Sequence, residues 1–414
     1  MRLNALIFNK YLGILLCSTL LLASCSKNNG PDPNKQELVV VASATEIDKG
    51  DEVTFEVTAG DKAIDADIYI NNTKTTSTAH TFNEAGAYQI VAKKEGYPES
   101  EAITLKVYQV DVYVAGVLKK GQKRTAVYWR NGKPVMLTDG TRHAEANDIA
   151  VHNGDVYVVG YEHQASRPVA KYWKNGKVVA LTDGSKRAAA HSILLDKKDV
   201  YIGGYEGQTA IYWKNGQAVE LSQTSNDAWV FSLAIDNGDV YAAGYEYNGV
   251  VYVAKYWKNG KPVALTDGIQ PAGAHAIAVS DGDVYVAGYE HNGSRDVAKY
   301  WKNGTAVALT DGSKNADVFS IFIDNKDVYI AGSEDIQAKY WKNGAAINLT
   351  DGINLSSARS ILIDNGDVYV AGSELNDSRD IAKYWKNGAA VNLTDGVQGA
   401  YTRSIFITRT LENE

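Results

Sequence analysis

SLAIDNGDVYAAGYEYNGVVYVAKYWKNGKPVALT, residues 232–266, contains four short apolar segments separated by turn signals. Residues 232–236 read as one strand, 239–244 as a second, 254–258 as a third and 263–266 as a fourth. Asn237-Gly238 joins the first pair and Asn259-Gly260 the last pair. Asn-Gly between alternating segments predicts a hairpin, because both turn residues need positive φ. No window reads as an amphipathic helix, which excludes leucine-rich, tetratricopeptide, ankyrin and α/β architectures.

The pattern recurs along the chain. Asp-Val-Tyr begins at 111, 155, 199, 239, 283, 327 and 367, in steps of 44, 44, 40, 44, 44 and 40. Each unit then carries Tyr-Trp, with the tryptophan at 129, 173, 213, 257, 301, 341 and 385. A further apolar segment begins at 149, 193, 233, 277, 321, 361 and 405. Such a period marks a propeller or a solenoid. The ends decide between them. The first unit starts at its second strand, and the last unit adds an extra first strand, residues 404–408. Joining the surplus strand to the incomplete unit closes a ring, removes the exposed ends and needs no polar caps. The expectation is an all-β chain with a seven-bladed β-propeller of four-stranded blades over residues 110–410. The seven tryptophans are expected between neighbouring blades, each worth roughly 3 kcal/mol of burial.

The chain has 414 residues, 45% hydrophobic and 22% charged, which excludes wholesale disorder. A net charge of -7 argues against a broad nucleic-acid surface. Arg2 and Lys10 precede an apolar run, residues 11–23, that is too short for a good membrane span. The run ends in Leu22-Ala23-Ser24-Cys25. This resembles a bacterial lipoprotein signal. The resemblance implies removal of residues 1–24 and a lipid on Cys25, which becomes the membrane partner. Cys17 leaves with the leader, so no disulfide and no thiol nucleophile is expected. Residues 25–36 read as a polar tether. Residues 37–109 alternate like a small β-sandwich. Within them HTFNEAGAYQIVA, residues 80–92, resembles the late-strand signature of PKD or bacterial Ig-like modules. That likeness puts Phe82 and Tyr88 in the core, Gly86 in a turn, and the domain in the role of a spacer. The repeat resembles the propeller class of WD-repeat, NHL and YVTN proteins without their motifs. It is also similar to lipoprotein propellers of Bacteroidota that carry DVYVAG…YWKNG…LTDG. The implied address is a bacterial cell envelope, at the outer membrane.

Candidate site residues come from one comparison of register. The residue before the first-strand core is Asn147, His191, Phe231, His275, Phe319, Arg359 and Arg403. The next position is nearly uniform and small: Asp148, Ser192, Ser232, Ala276, Ser320, Ser360 and Ser404. If the first strand is innermost, the varied seven surround the mouth of the central channel. Arg359 and Arg403 suit an anion or carboxylate. Phe231 and Phe319, with Trp229 nearby, suit a sugar or another flat group. The rival reading is channel filling plus drift between duplicated units. The connections from second to third strand and from fourth strand to the next first strand read as the longer, variable loops, for example residues 161–168 against 205–208, and are expected to share this face. Glu162, Glu206, Glu246, Glu290, Glu334 and Glu374 follow the second strands and read mainly as structural hydrogen-bond groups. The glycines read as turn residues. The aspartates of the turns read as acceptors of backbone N–H groups, and no EF-hand spacing points to metal. Cysteine-based, HExxH, GxSxG, P-loop and dinucleotide motifs do not occur. The sequence therefore predicts no catalytic set, no metal and no cofactor. It favours a binding module for a glycan, peptide or protein. A structural or assembly subunit comes next, then a propeller lyase or hydrolase. Replacing Cys25 with Ala is expected to shift the protein from the membrane to the soluble fraction on cell fractionation; continued membrane association contradicts the lipid assignment.

Overall fold

Paired turn residues with positive φ set the grain of the fold. Asn237 and Asn259 have φ of 49° and 50°, followed by Gly238 at 86° and Gly260 at 79°. Each pair closes a two-residue hairpin with the twist that flanking strands require. The computed structural model describes residues 36–75, 77–222 and 226–411. The leader, Cys25 and the tether up to residue 35 lie outside the described residues. No helix occurs among the described residues.

The chain divides into two compact units. One is Val112–Ile407; the other holds the described residues up to Asp111 together with those from Thr408. In the larger unit, six successive four-stranded antiparallel sheets run from Ala144–His152 to Ala389–Asn392. Around the stretch quoted above, the inner strand is Ala228–Asp236, followed by Asp239–Tyr247, Tyr252–Lys258 and the outer Lys261–Ala264. A further sheet joins the two ends of the unit. Ala400–Thr410 pairs with Ile103–Lys120, which pairs with Lys123–Arg130 and then Lys133–Met136. The Lys119 N–H donates to the Gly399 carbonyl at 2.7 Å in this seam. On one side the closing sheet packs on the last: Val114, Val127 and Trp129 share a core with Tyr369, Ala382 and Leu393. On the other side Tyr113, Ala115 and Ala126 share a core with Ile149, Val158 and Trp173. The all-β ring is therefore closed by side-chain packing as well as by strand pairing. Each of the seven repeated tryptophans is about 1% exposed. Trp173 and Trp301 both sit in clusters that draw on two neighbouring sheets, as expected.

A β-bulge interrupts the inner strand of every one of the six sheets. The registers skip between Ala146 and Asp148, Ala190 and Ser192, Val230 and Ser232, Ala274 and Ala276, Val318 and Ser320, and Ala358 and Ser360. The bulge presses the inner backbone against the facing second strand. A Cβ on Gly160, Gly204, Gly244, Gly288, Gly332 or Gly372 would overlap the carbonyl oxygen of the opposing inner-strand residue. Gly116 stands in the same relation to Tyr401 in the closing sheet. These mid-strand glycines permit close backbone approach, so the reading of the glycines as turn residues is corrected for this set.

The bulge also explains the small residue after it. Ile193 donates its N–H to Asp148 Oδ2 at 2.8 Å, across two sheets. Leu233 donates to Ser192 Oγ at 3.2 Å, and Ile277 to Ser232 Oγ at 3.2 Å. Ile361 donates to Ser320 Oγ at 3.1 Å, and Ile405 to Ser360 Oγ at 3.2 Å. Ser404 Oγ donates to Asp148 Oδ1 at 2.5 Å and completes the circuit. Ala276 has no hydroxyl, so the belt has a gap between its sheet and the next.

One expectation about connections needs correction. Second and third strands are joined by tight turns at the tips of extended hairpins. Residues 161–164 and 167–168 lie in strands Asp155–Gln164 and Arg167–Lys174, with only Ala165 and Ser166 between them. The 40-residue steps reflect shorter hairpins, such as Asp199–Glu206 with Thr209–Lys214. The longer link is the one from outer strand to next inner strand, for example residues 265–271.

In the smaller unit, Leu38–Ala42, Glu52–Ala59 and Lys62–Ala63 form one sheet, with Ala79–Thr81 on Glu52–Ala59. Asp67–Ile70, Gly86–Lys93 and residues 103–111 form the other, with Glu46–Asp48 added in parallel. Leu38, Phe55, Ile68, Ile90 and Leu105 fill the space between them. Phe82 is buried in that core with Tyr88 against its edge at 4.9 Å. Gly86 opens a strand with φ 147°.

A chain ending at residue 402 is expected to lose its cooperative melt or to melt far below the parent; equal stability contradicts the closure. Replacing Ser232 with Ala is expected to cost about 1 kcal/mol, and replacing Ala276 with Ser to add a comparable amount by bridging the gap, read by denaturant titration. No loss in the first variant contradicts the belt.

Candidate functional site

The inserted residue of a bulge is aimed out of the regular alternation of its strand. Here the six inserted residues are Asn147, His191, Phe231, His275, Phe319 and Arg359. Arg403 holds the matching place in the closing strand. All seven are half-buried, and from Asn147 round to Arg359 each lies against the next, while Arg403 is held by Glu145 and Tyr401. Asn147 Nδ2 reaches His191 Nδ1 at 3.5 Å and donates to the Ala190 carbonyl at 2.8 Å. Ring centroids lie 5.2 Å apart for His191–Phe231 and 5.3 Å for Phe231–His275. His275 stacks on Phe319 at 5.7 Å with planes 6° apart. The Arg359 guanidinium lies 3.8 Å above the Phe319 ring centroid. Trp229, two residues before Phe231, stacks on Tyr205 at 4.6 Å and lies 6.2 Å from Phe231.

The register two residues earlier forms a second tier that the sequence reading passed over. It contains Glu145, Trp229, Asp317, Ser357 and Tyr401. Glu145 is 3% exposed at its side chain. It accepts Arg403 Nη2 at 2.8 Å and the Tyr401 hydroxyl at 3.0 Å. It also pairs with Arg124 and accepts a hydrogen bond from Tyr161. Burial pushes the Glu145 carboxyl up, but Arg403, Tyr161 and Arg124 outweigh it and hold it at about 2. Arg403 is therefore already engaged, which alters the expected paired clamp. The available signal was Glu145 itself, an acid at a register where neighbouring units carry Ala189, Trp229 and Gly273.

Arg359 is placed differently. Its Nε donates to Ser357 Oγ at 3.3 Å, and its terminal nitrogens have no hydrogen-bond partner among the described residues. Burial lowers its pKa to about 10, and the Arg403 charge pushes the same way. His191 is also held down by burial, to about 4, so it is neutral at pH 7. His275 moves the other way: burial lowers it, but Asp317 at 3.2 Å and the Val318 carbonyl more than offset this.

The glutamates at the ends of the second strands and the tyrosines that precede some of them have separate roles. Glu246, Glu290, Glu334 and Glu374 pair with Lys255, Lys299, Lys339 and Lys383 of the same hairpins at 2.5–2.6 Å. Those glutamates are structural. The hydroxyls of Tyr205, Tyr245 and Tyr289 have no hydrogen-bond partner among the described residues; Tyr205 is buried and the other two are half-buried. The turn aspartates accept backbone N–H groups two residues on, as Asp267 does from Ile269 at 2.9 Å. Asp239 binds Asn259 and Lys258 at the opposite ends of its hairpins.

The fold defines the protein's class: an all-β chain built on repeated four-stranded propeller sheets. No family model matches the sequence, and no curated protein matches it. A solved chain from a structural and mechanistic study of two prolyl endopeptidases is similar, with a TM-score of 0.42 at 12% identity. The match covers 84% of this chain and 50% of that one, so this chain spans about half its length. TolB from Acinetobacter baumannii is similar with a TM-score of 0.40 at 11% identity, over 75% of this chain and 79% of that one. Both are β-propeller proteins.

The depressed Glu145 carboxyl stabilises the fold above its unfolded value near 4.5, and that contribution fades as pH falls toward about 2. Replacing Glu145 with Gln is expected to cost roughly 3 kcal/mol at pH 7, with the deficit shrinking between pH 4.5 and 2. Thermal melts across that range check this; a constant deficit contradicts it.

Proposed function

We propose that this protein is a non-catalytic binding module whose ligand seats at the mouth of the ring. The carrying observation is the contiguous run of unlike side chains from Asn147 to Arg359 at one repeated bulge position, with Arg403 at the matching place. The belt residue after it and the cores behind it repeat from sheet to sheet, so the variation is concentrated at this register and at the one two residues earlier. Convergent polar groups beside aromatic rings are part of the usual make-up of a ligand site. The ligand class is a glycan, a peptide or a protein segment.

The lipoprotein signal ending at Cys25 supports an envelope address, with the outer membrane as the partner surface. The small β unit, with its PKD-like or Ig-like stretch, then serves as a spacer. A second reading, an assembly subunit, is favoured by the outer strands. Val179, Val219, Val263, Val307, Ile347 and Val391 recur there, each between 36% and 44% exposed. Chemistry at the cluster of Glu145, Tyr161 and Tyr401 is a third reading. Glu145 is fixed as a charged acceptor, which suits a structural or orienting part better than proton transfer.

Glycan and peptide arrays probed with the full chain are expected to yield a ligand whose binding is lost in Trp229→Ala while the melting temperature stays within a few degrees. A ligand that binds the parent and this variant equally well would move the site elsewhere. A monodisperse monomer in light scattering counts against the assembly reading.

A further inference from the structure

The ring mouth is divided by charge. Arg359, Arg403 and Arg124 occupy one arc, against Glu145, which is shared by two of them. The other arc is aromatic and runs from Phe319 through His275 and Phe231 to Trp229 and Tyr205. Arg359 stands where the arcs meet, stacked on Phe319. It is a half-buried cation with no carboxylate bonded to it, beside a second guanidinium. Taking a cation out of water without an opposite charge is costly, and native proteins seldom leave it so. Asp317 pairs with His275 at 3.2 Å and, like Glu145, acts on Arg359 only through its charge, with no hydrogen bond to it. The terminal nitrogens of Arg359 are thus left open to an anion from outside the chain. A planar guanidinium with both terminal nitrogens open matches a carboxylate in bidentate fashion.

What adjoins the anion follows from the aromatic arc. Its rings are half-buried and pack on one another, as in the Tyr205–Trp229 stack with planes 14° apart, and the Arg187 guanidinium lies over both of those rings at 5.3 and 5.4 Å, so the arc presents ring edges and a cation to a ligand. Three tyrosine hydroxyls without hydrogen-bond partners among the described residues, on Tyr205, Tyr245 and Tyr289, lie along the same arc. Burial raises the pKa of Tyr245 and Tyr289, so both keep their protons and can donate. Ring edges and hydroxyl groups, next to a carboxylate receptor, describe a site for a sugar ring that bears an acid.

We infer that the ring mouth takes an acidic saccharide, with a uronate carboxylate on Arg359 and the pyranose ring against the aromatic arc. This rests on the binding reading above and gives it a ligand class. Recognition is of the saccharide as such; no bond is made or broken.

The test uses the full chain, purified in detergent, against alginate, oligogalacturonate and hyaluronan fragments. Carboxyl-reduced counterparts, neutral oligosaccharides and acidic peptides with free C-termini serve as the other arms. The expected result is titratable binding to at least one uronate series and loss of binding on carboxyl reduction. Affinity should also fall roughly 10- to 100-fold in Arg359→Ala with an unchanged melting temperature. Binding of a neutral glycan or a peptide that is lost in Trp229→Ala but intact in Arg359→Ala overturns the uronate assignment and leaves the binding reading standing. Uronate binding that is indifferent to both variants overturns the placement at the ring mouth. No binding in any arm overturns both readings.

Discussion

One extra residue in each inner strand organises the larger unit. The bulge turns a side chain toward the ring axis and leaves the following residue small. That small residue's oxygen then accepts an N–H from the neighbouring sheet, as Ser192 does from Leu233. The distortion is possible only because the facing strand carries glycine at the point of closest approach. Gly244 opposite Trp229 thus bears on three things at once. It allows the bulge, the bulge supplies one link of the belt, and the bulge aims Phe231 at its neighbours.

This arrangement separates stability from recognition. Adhesion between sheets comes from the seven buried tryptophans and their apolar neighbours, remote from the axis. Ion pairs such as Lys255–Glu246 tie hairpins internally. The bulge residue carries neither duty, so its identity is free to differ between units. The result is a collar with Arg359, Arg403 and Arg124 on one arc and mainly aromatic rings on the other, where Arg187 lies over Tyr205 and Trp229. Only the sector holding Glu145 departs from this freedom, since two arginines and two tyrosines depend on that carboxylate.

Much of this was legible from residue spacing. Asn-Gly pairs and the recurring Asp-Val-Tyr and Tyr-Trp located the strands, and the surplus segment at 404–408 pointed to closure. Comparing units register by register singled out Asn147 to Arg403 because variation against a uniform background is visible in a single chain. Three things were misread or missed. Glycine inside DVYVAG was taken for a turn residue, although an isolated glycine within a strand is a recognised bulge signal. Residues 161–168 were read as a loop because hairpin length follows strand pairing, which spacing alone does not reveal. Glu145 escaped notice because an acidic residue gains meaning only when Arg124 and Arg403, distant in sequence, arrive beside it.

The sequence by itself determined the local and repeated parts: which segments are strands, which turns close them, and which positions repeat or vary. Those depend on short-range backbone preferences and on alternation, and both are written in neighbouring residues. Only the tertiary structure decided that Arg403 is bonded to a carboxylate while Arg359 is not, and that the Tyr245 and Tyr289 hydroxyls lack a hydrogen-bond partner among the described residues while the adjoining Glu246 and Glu290 are paired. Those outcomes turn on which charges meet across sheets dozens to hundreds of residues apart. A charge pairs or stays bare according to distance and burial, and neither is a property of the linear chain.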